Sequence, residues 1–289
     1  MGHGRIVWDG GALLGEGPVW DGRDDSLWFV DIKGRHVHRV DPESGASRSW
    51  LAPAQIGWVV PAVGGGFVAG LQTGLHRFDP DEDDFQHLAD VEPDLSGNRL
   101  NDATVDPDGM IWFGSMDDGE RAVTGRIYRW DGNSVQASAI PAVPITNGPA
   151  IAPDGATLYH VDTLGGVIHA AALIAGSDTG GTREFVRIAP EDGYPDGVTT
   201  DSAGNVWVGL WGGHCARCYA PDGTLLRQVE LPAANITKIA LGGKDGRTAF
   251  ATSARIGLDE AALAAQPHAG AVFAFDVDVP GRHLPLART

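Results

Sequence analysis

Short apolar runs, each centred on an aromatic or bulky residue, recur along the chain. They are Leu27-Trp28-Phe29-Val30, Phe67-Val68-Ala69-Gly70, Ile111-Trp112-Phe113-Gly114, Leu158-Tyr159-His160-Val161, Val206-Trp207-Val208-Gly209 and Ala249-Phe250-Ala251-Thr252. Centred on positions 28, 67, 112, 159, 207 and 250, they stand 39, 45, 47, 48 and 43 residues apart. Most follow an apolar strand pattern and a turn such as Asp21-Gly22, Asp108-Gly109, Asp154-Gly155, Ala203-Gly204 or Asp245-Gly246. Several lead into another strand and an Asp-Pro or Asp-Gly turn, as at Val37-His38-Arg39-Val40-Asp41-Pro42. The period matches one four-stranded propeller blade.

Six such units predict an all-β, six-bladed β-propeller with four-stranded blades, occupying residues 1–289 as a single domain. The final unit ends in Ala271-Val272-Phe273-Ala274-Phe275, and Ile6-Val7-Trp8 is expected to add its outer strand, so that the N-terminal strand closes the ring. The one convincing helical turn is Asp259 to Ala265.

In a propeller the first strands of all blades line the central channel in one direction, so their starts share one mouth. Counting back 11 or 12 residues from the markers reaches Glu16, Asn101, Asn147 and Asp196, and for the other two blades Gln55 or Ile56 and Lys238 or Ile239. Each of the four polar residues is read as sitting in its own stiff turn, Asp196 in Gly193-Tyr194-Pro195-Asp196-Gly197. Oxygen donors converging in this way suit a hard or borderline divalent ion such as Ca²⁺, Mn²⁺ or Fe²⁺, with Zn²⁺ an alternative. Two carboxylates at close range raise one another's pKa, and a cation keeps both ionised.

Composition narrows the field. The 289 residues carry 43% hydrophobic and 20% charged residues, with 41 Gly and 18 Pro, which suits a turn-rich chain with a real core. A formal charge of −17 repels phosphate backbones and anionic lipid, arguing against nucleic-acid and membrane partners. No stretch of 18 apolar residues occurs, the start lacks a signal-peptide core, and a cytoplasmic location is expected. Cys215 and Cys218 fall three apart on a strand pattern, on opposite faces, and read as incidental. His160 and His169 read as packing residues, and the absence of a Gly-x-Ser-x-Gly elbow disfavours a serine hydrolase. Lys238 reads equally as a channel group or a salt-bridge partner; Trp58 and Trp211 are read as packing between blades rather than as the floor of a sugar site.

The residues at the channel mouth also carry a family likeness. GEGPVW around Glu16, RLNDATVDPDG from Arg99, ITNGPAIAPDG from Ile145 and PDGVTTDSAGNVWVGLWGG from Pro195 resemble the gluconolactonase / senescence marker protein / regucalcin family over nearly the whole chain. ITNGP, LWGG and NITKIALGGKDGRTAFATSARIGL look most like its bacterial sugar-lactonase branch of xylonolactonases and arabinonolactonases. The resemblance implies a six-bladed propeller with one divalent ion (Ca, Fe, Mn or Zn) held by Glu16, Asn147 and Asp196. It implies Arg99 and Asn101 as substrate contacts. The family's acidic sugar contact aligns with Gly119, leaving Asp117, Asp118 and Glu120 as the alternatives.

The implied activity is hydrolysis of a sugar lactone to the aldonic acid, with metal-activated water attacking the carbonyl, Asp196 as base and Glu16 beside it in the catalytic pair. Another metal-dependent esterase or phosphotriesterase, or a non-enzymatic calcium-binding propeller, are the competing readings.

Overall fold

The computed structural model describes residues 4–174 and 177–289. It contains six four-stranded antiparallel sheets, the blades of a propeller. The innermost strands are Gly15–Asp21, Ile56–Pro61, Asn98–Val105, Thr146–Ile151, Tyr194–Thr200 and Asn235–Gly242, for blades 1 to 6 in chain order. Each touches the next, and the last touches the first. The sixth sheet is completed from the other end of the chain: Arg5–Trp8 pairs with Val272–Asp276, Arg5 opposite Ala274 and Ile6 opposite Phe273. The expected closure by the N-terminal strand is what the molecule does.

The marker runs are the second strands, and their lack of alternation has a physical cause. A strand inside a blade is covered on both faces by its neighbouring blades, and successive side chains point to opposite faces. All six residues of Ser26–Asp31 are buried. Leu27 and Phe29 pack with Phe250 and Val272 of blade 6, whereas Trp28 and Val30 pack with Val59 and Phe67 of blade 2. Similar apolar clusters fill the other four gaps between blades, so the core is divided into six sectors around the axis. Cys215 and Cys218 follow the same rule: the first joins the cluster toward blade 4, the second that toward blade 6, and both are free thiols. The helix is Glu260–Ala265, capped by Asp259, whose side chain accepts from the Ala262 amide at 2.8 Å. Among the described residues no helix is long and apolar enough to cross a membrane.

One further element shapes the channel. The last residues run across the face opposite the acidic mouth and bond blade after blade. The Gly281 amide donates to Gly246 O (2.8 Å) and the Ser202 amide to Pro280 O (2.9 Å). Arg282 Nη2 donates to Ile151 O (3.1 Å), Ala287 N to Pro61 O (2.8 Å) and Arg288 N to Gly109 O (2.8 Å). Arg282 and Leu284 thereby lie across the far end of the channel, against residues of the innermost strands.

Candidate active site

Every innermost strand has the same irregularity near its start. Pairing with the second strand slips by one residue between Glu16 and Val19, Ile56 and Trp58, Leu100 and Ala103, Asn147 and Ala150, Pro195 and Val198, and Ile236 and Ile239. These are six β-bulges at one level of the channel. A bulge puts an unpaired residue into one strand and turns its side chain away from the pleat. Glu16 and Asn147 stand at the edge of their bulges, while Asn101 and Asp196 lie inside theirs. The stiff turns expected from the sequence are thus bulges within strands: Pro195, Asp196 and Gly197 belong to Tyr194–Thr200. Glycine is needed where the strands crowd. Gly17 has φ 53°, and a Cβ on Gly197 would lie 2.6 Å from Lys238 Cβ.

Glu16, Arg99, Asn101, Asn147 and Asp196 line one cavity of about 500 Å³, the size of a small-molecule site. Glu16 and Asp196 are 2% and 5% exposed, and no ion pair reaches either among the described residues. The hydrogen bond recorded to Glu16 comes from the neighbouring Gly17 amide, 2.7 Å. Burial, with the charge of Asp102, pushes Glu16 up to about 8. Burial and the charges of Glu16 and Asp102 likewise push Asp196 well above the ordinary carboxylate value. Such a pair is costly unless a cation comes from outside the chain.

The amides complete the donor set. Asn101 Nδ2 donates to Thr146 O (2.7 Å) and to Asn147 Oδ1 (2.9 Å), and Asn147 Nδ2 donates to Thr163 Oγ1 (2.9 Å). Both amides are therefore held with defined orientation, and Asn147 Oδ1 keeps a lone pair beyond the one Asn101 uses. Among the described residues no three His, Cys, Asp or Glu side chains group as a metal site. The set is two carboxylates plus a carboxamide oxygen, all hard donors, and it fits a divalent cation.

The acidic loop after the second strand of blade 3 separates into three jobs. The Asp117 carboxylate accepts from the amides of Gly119, Arg121 and Ala122 (3.2, 2.9 and 3.0 Å) and braces the loop. Asp118 is engaged by Lys33 Nζ (2.6 Å), Arg99 Nε (2.8 Å) and Gln55 Nε2 (3.0 Å). Burial raises it, but the bonds from Gln55 and Lys33 and the charge of Arg99 outweigh that and hold it below the ordinary value. Glu120, at φ 58°, lines the cavity. Arg99 is 5% exposed. Besides Asp118 it bonds Leu100 O and Asn101 Oδ1 through Nη1, which leaves Nη2 without a protein partner among the described residues.

Lys33, Leu164, Trp211 and Ile256 also line the cavity, and three of them were not singled out in the sequence. Lys33, Leu164 and Ile256 come from the turn after a second strand and Trp211 from the end of one, all opening at the same mouth. Counting forward four to six residues from each aromatic marker finds them. Trp211 thus faces the cavity, whereas Trp58 is buried between blades 2 and 3. His160 and His169 stack at 5.0 Å inside blade 4, away from the site.

A six-bladed ring with oxygen donors from separate blades at one mouth defines a class of small-molecule propeller proteins. A family model described as SMP-30/Gluconolactonase/LRE-like region matches residues 14–255, and the chain belongs to this family. It is 34% identical over 277 residues to a 6-deoxy-6-sulfogluconolactonase of Pseudomonas putida, covering 95% of each chain. It is 35% identical over 280 residues to an L-arabinolactonase of Azospirillum brasilense, covering 94% of this chain and 91% of that one. A solved calcium-binding protein, regucalcin, from Agrobacterium tumefaciens superposes with a TM-score of 0.94 at 30% identity, covering 99% and 97% of the two chains.

Proposed function

We propose that this protein is a lactonase working as one domain, which opens a sugar lactone to its aldonic acid with the help of a single divalent ion. The observation that carries the reading is the pair of buried carboxylates, Glu16 and Asp196, which no ion pair reaches among the described residues, in a cavity also lined by Arg99. The relatives named as lactonases support the substrate class.

Glu16, Asn147 and Asp196 would hold the ion, which when bound supplies Lewis acidity at the lactone carbonyl oxygen. The chain does the rest. Asp196 takes a proton from the water that attacks the carbonyl carbon, and returns one to the ring oxygen as the acyl C–O bond breaks. Arg99 Nη2, held in place through Nε by Asp118, binds the hydroxyl-bearing side of the ring and then the carboxylate that forms. Asn101 keeps the Asn147 oxygen aimed, and Glu120 accepts hydrogen bonds from ring hydroxyls. Asp118 acts by positioning Arg99 and Lys33.

Acid release from a panel of aldonolactones, aryl esters and phosphotriesters, with and without chelator, tests the reading. Lactone turnover should be lost on chelation and restored by a divalent ion. Glu16→Gln and Asp196→Asn should each reduce it by on the order of a thousandfold or more with the fold intact. Near-normal rates in both variants, or full activity after complete ion removal, would reject it.

A further inference from the structure

The wall of the cavity is different on its two sides. The turns after the second strand occupy equivalent places in all six blades, so their residues can be compared directly. Blades 1 and 3 bring Lys33 and Glu120 to the wall, together with the buried Leu14 and Met116, while Asp118 bonds Lys33 and Gln55. Blades 4 and 6 place Leu164 and Ile256 there, blade 5 ends its second strand on Trp211, and the start of blade 5 adds Tyr194. Leu164, Tyr194 and Ile256 are 48%, 42% and 40% exposed, so three large side chains stand in solvent around one half of the mouth. Trp211 lies between them, its ring edge 3.7 Å from where a Cβ on Gly257 would sit. Among the lining residues on this side, hydroxyls come from Thr163 and Tyr194, and the Thr163 oxygen already accepts from Asn147.

Covering exposed apolar surface of this kind with an apolar part of a ligand is favourable, in proportion to the area removed from water. A hydroxyl pressed against Leu164 or Ile256 loses its water and finds no partner on those two side chains. A ligand that fits both sides therefore has one edge of hydroxyls, met by Arg99, Glu120 and Lys33, and one edge of hydrocarbon. Resting on the lactonase reading above, we infer that the cavity is built for 6-deoxyaldonolactones, whose terminal methyl meets Leu164, Trp211 and Ile256, in preference to lactones hydroxylated at C6.

The test uses matched lactones differing only in the C6 oxygen: L-rhamnono against L-mannono, and fucono against galactono and 6-deoxyglucono against glucono in both D and L forms. For the pairs turned over, kcat/KM should favour the deoxy member by on the order of tenfold. Leu164→Asn and Ile256→Asn, both at exposed sites, should bring the ratio close to one while retaining turnover. Calorimetric binding of the corresponding 1,5-anhydroalditols, which lack the carbonyl, should show the same preference and the same loss. Equal or reversed preference in the unaltered protein, or a preference that both variants keep, overturns the inference and leaves lactone hydrolysis standing. Failure to hydrolyse any lactone of the panel with a divalent ion present removes both.

Discussion

Two sets of buried carboxylates share one channel and are treated in opposite ways. At the mouth, no ion pair among the described residues reaches Glu16 or Asp196. One residue further along the blade 3 strand than Asn101, Asp102 is fully buried and is gripped by Lys238 Nζ, which also donates to Ala103 O at 3.1 Å. Lys238 crosses from the bulge of blade 6, at the place where Gly197 leaves room for its stem. The protein thus places an ammonium against Asp102 and none against the pair to which the proposed function assigns the divalent ion. Buried carboxylates are therefore not all alike: one is neutralised within the fold, and the other two are the pair on which the proposed function rests.

Removing the internal cation should have the largest effect. Lys238→Met strands Asp102, with one oxygen already unpartnered, and should cost about 3–5 kcal/mol in chemical denaturation. The double variant Asp102→Asn/Lys238→Met should recover most of that. If the single variant unfolds no more readily than the parent protein, the contrast between the two carboxylate sets is lost.

The next effect is on the other set. A divalent ion at a hundred times its dissociation constant should stabilise the unaltered protein by about 2.7 kcal/mol, read as a shift in thermal midpoint. Glu16→Gln or Asp196→Asn should abolish that shift and yet leave the ion-free protein as stable as before or more so. A shift of equal size in both variants would place the ion elsewhere.

The smallest effect concerns two buried histidines outside the channel, one in blade 4 and one in blade 1. Burial holds the His160 imidazole down at about 3 and that of His38 at about 4, against 6.5 for a free histidine. From pH 6.5 down to these values the unfolded chain binds more protons than the folded one. The stability they contribute is thus complete above pH 6.5 and drains away with acid. Both ring nitrogens of His160 lack partners among the described residues, so His160→Leu should flatten this acid limb and raise stability at pH 5 by about 1 kcal/mol. Loss of lactone turnover in that variant would instead tie blade 4's interior to the site.

The fold was legible because each blade repeats one buried second strand, and its aromatic marks the register. The same register reached Glu16, Asn101, Asn147 and Asp196, which do line one cavity. The bulges were not legible. Asn, Asp, Gly and Pro favour turns and bulges alike, and only the pairing across to the second strand tells the two apart. The division of labour among Asp117, Asp118 and Glu120 was also hidden, because it depends on Lys33 and Gln55, which approach from other blades. Lys238 could be a channel residue or an ion-pair partner from sequence; it is both.

The tail that runs from Pro280 to Arg288 has a consequence for traffic. With Arg282 and Leu284 lying across the far end, the cavity is a well rather than a tunnel. Whatever is made inside must back out by the doorway through which the next molecule arrives, so departure and arrival take turns.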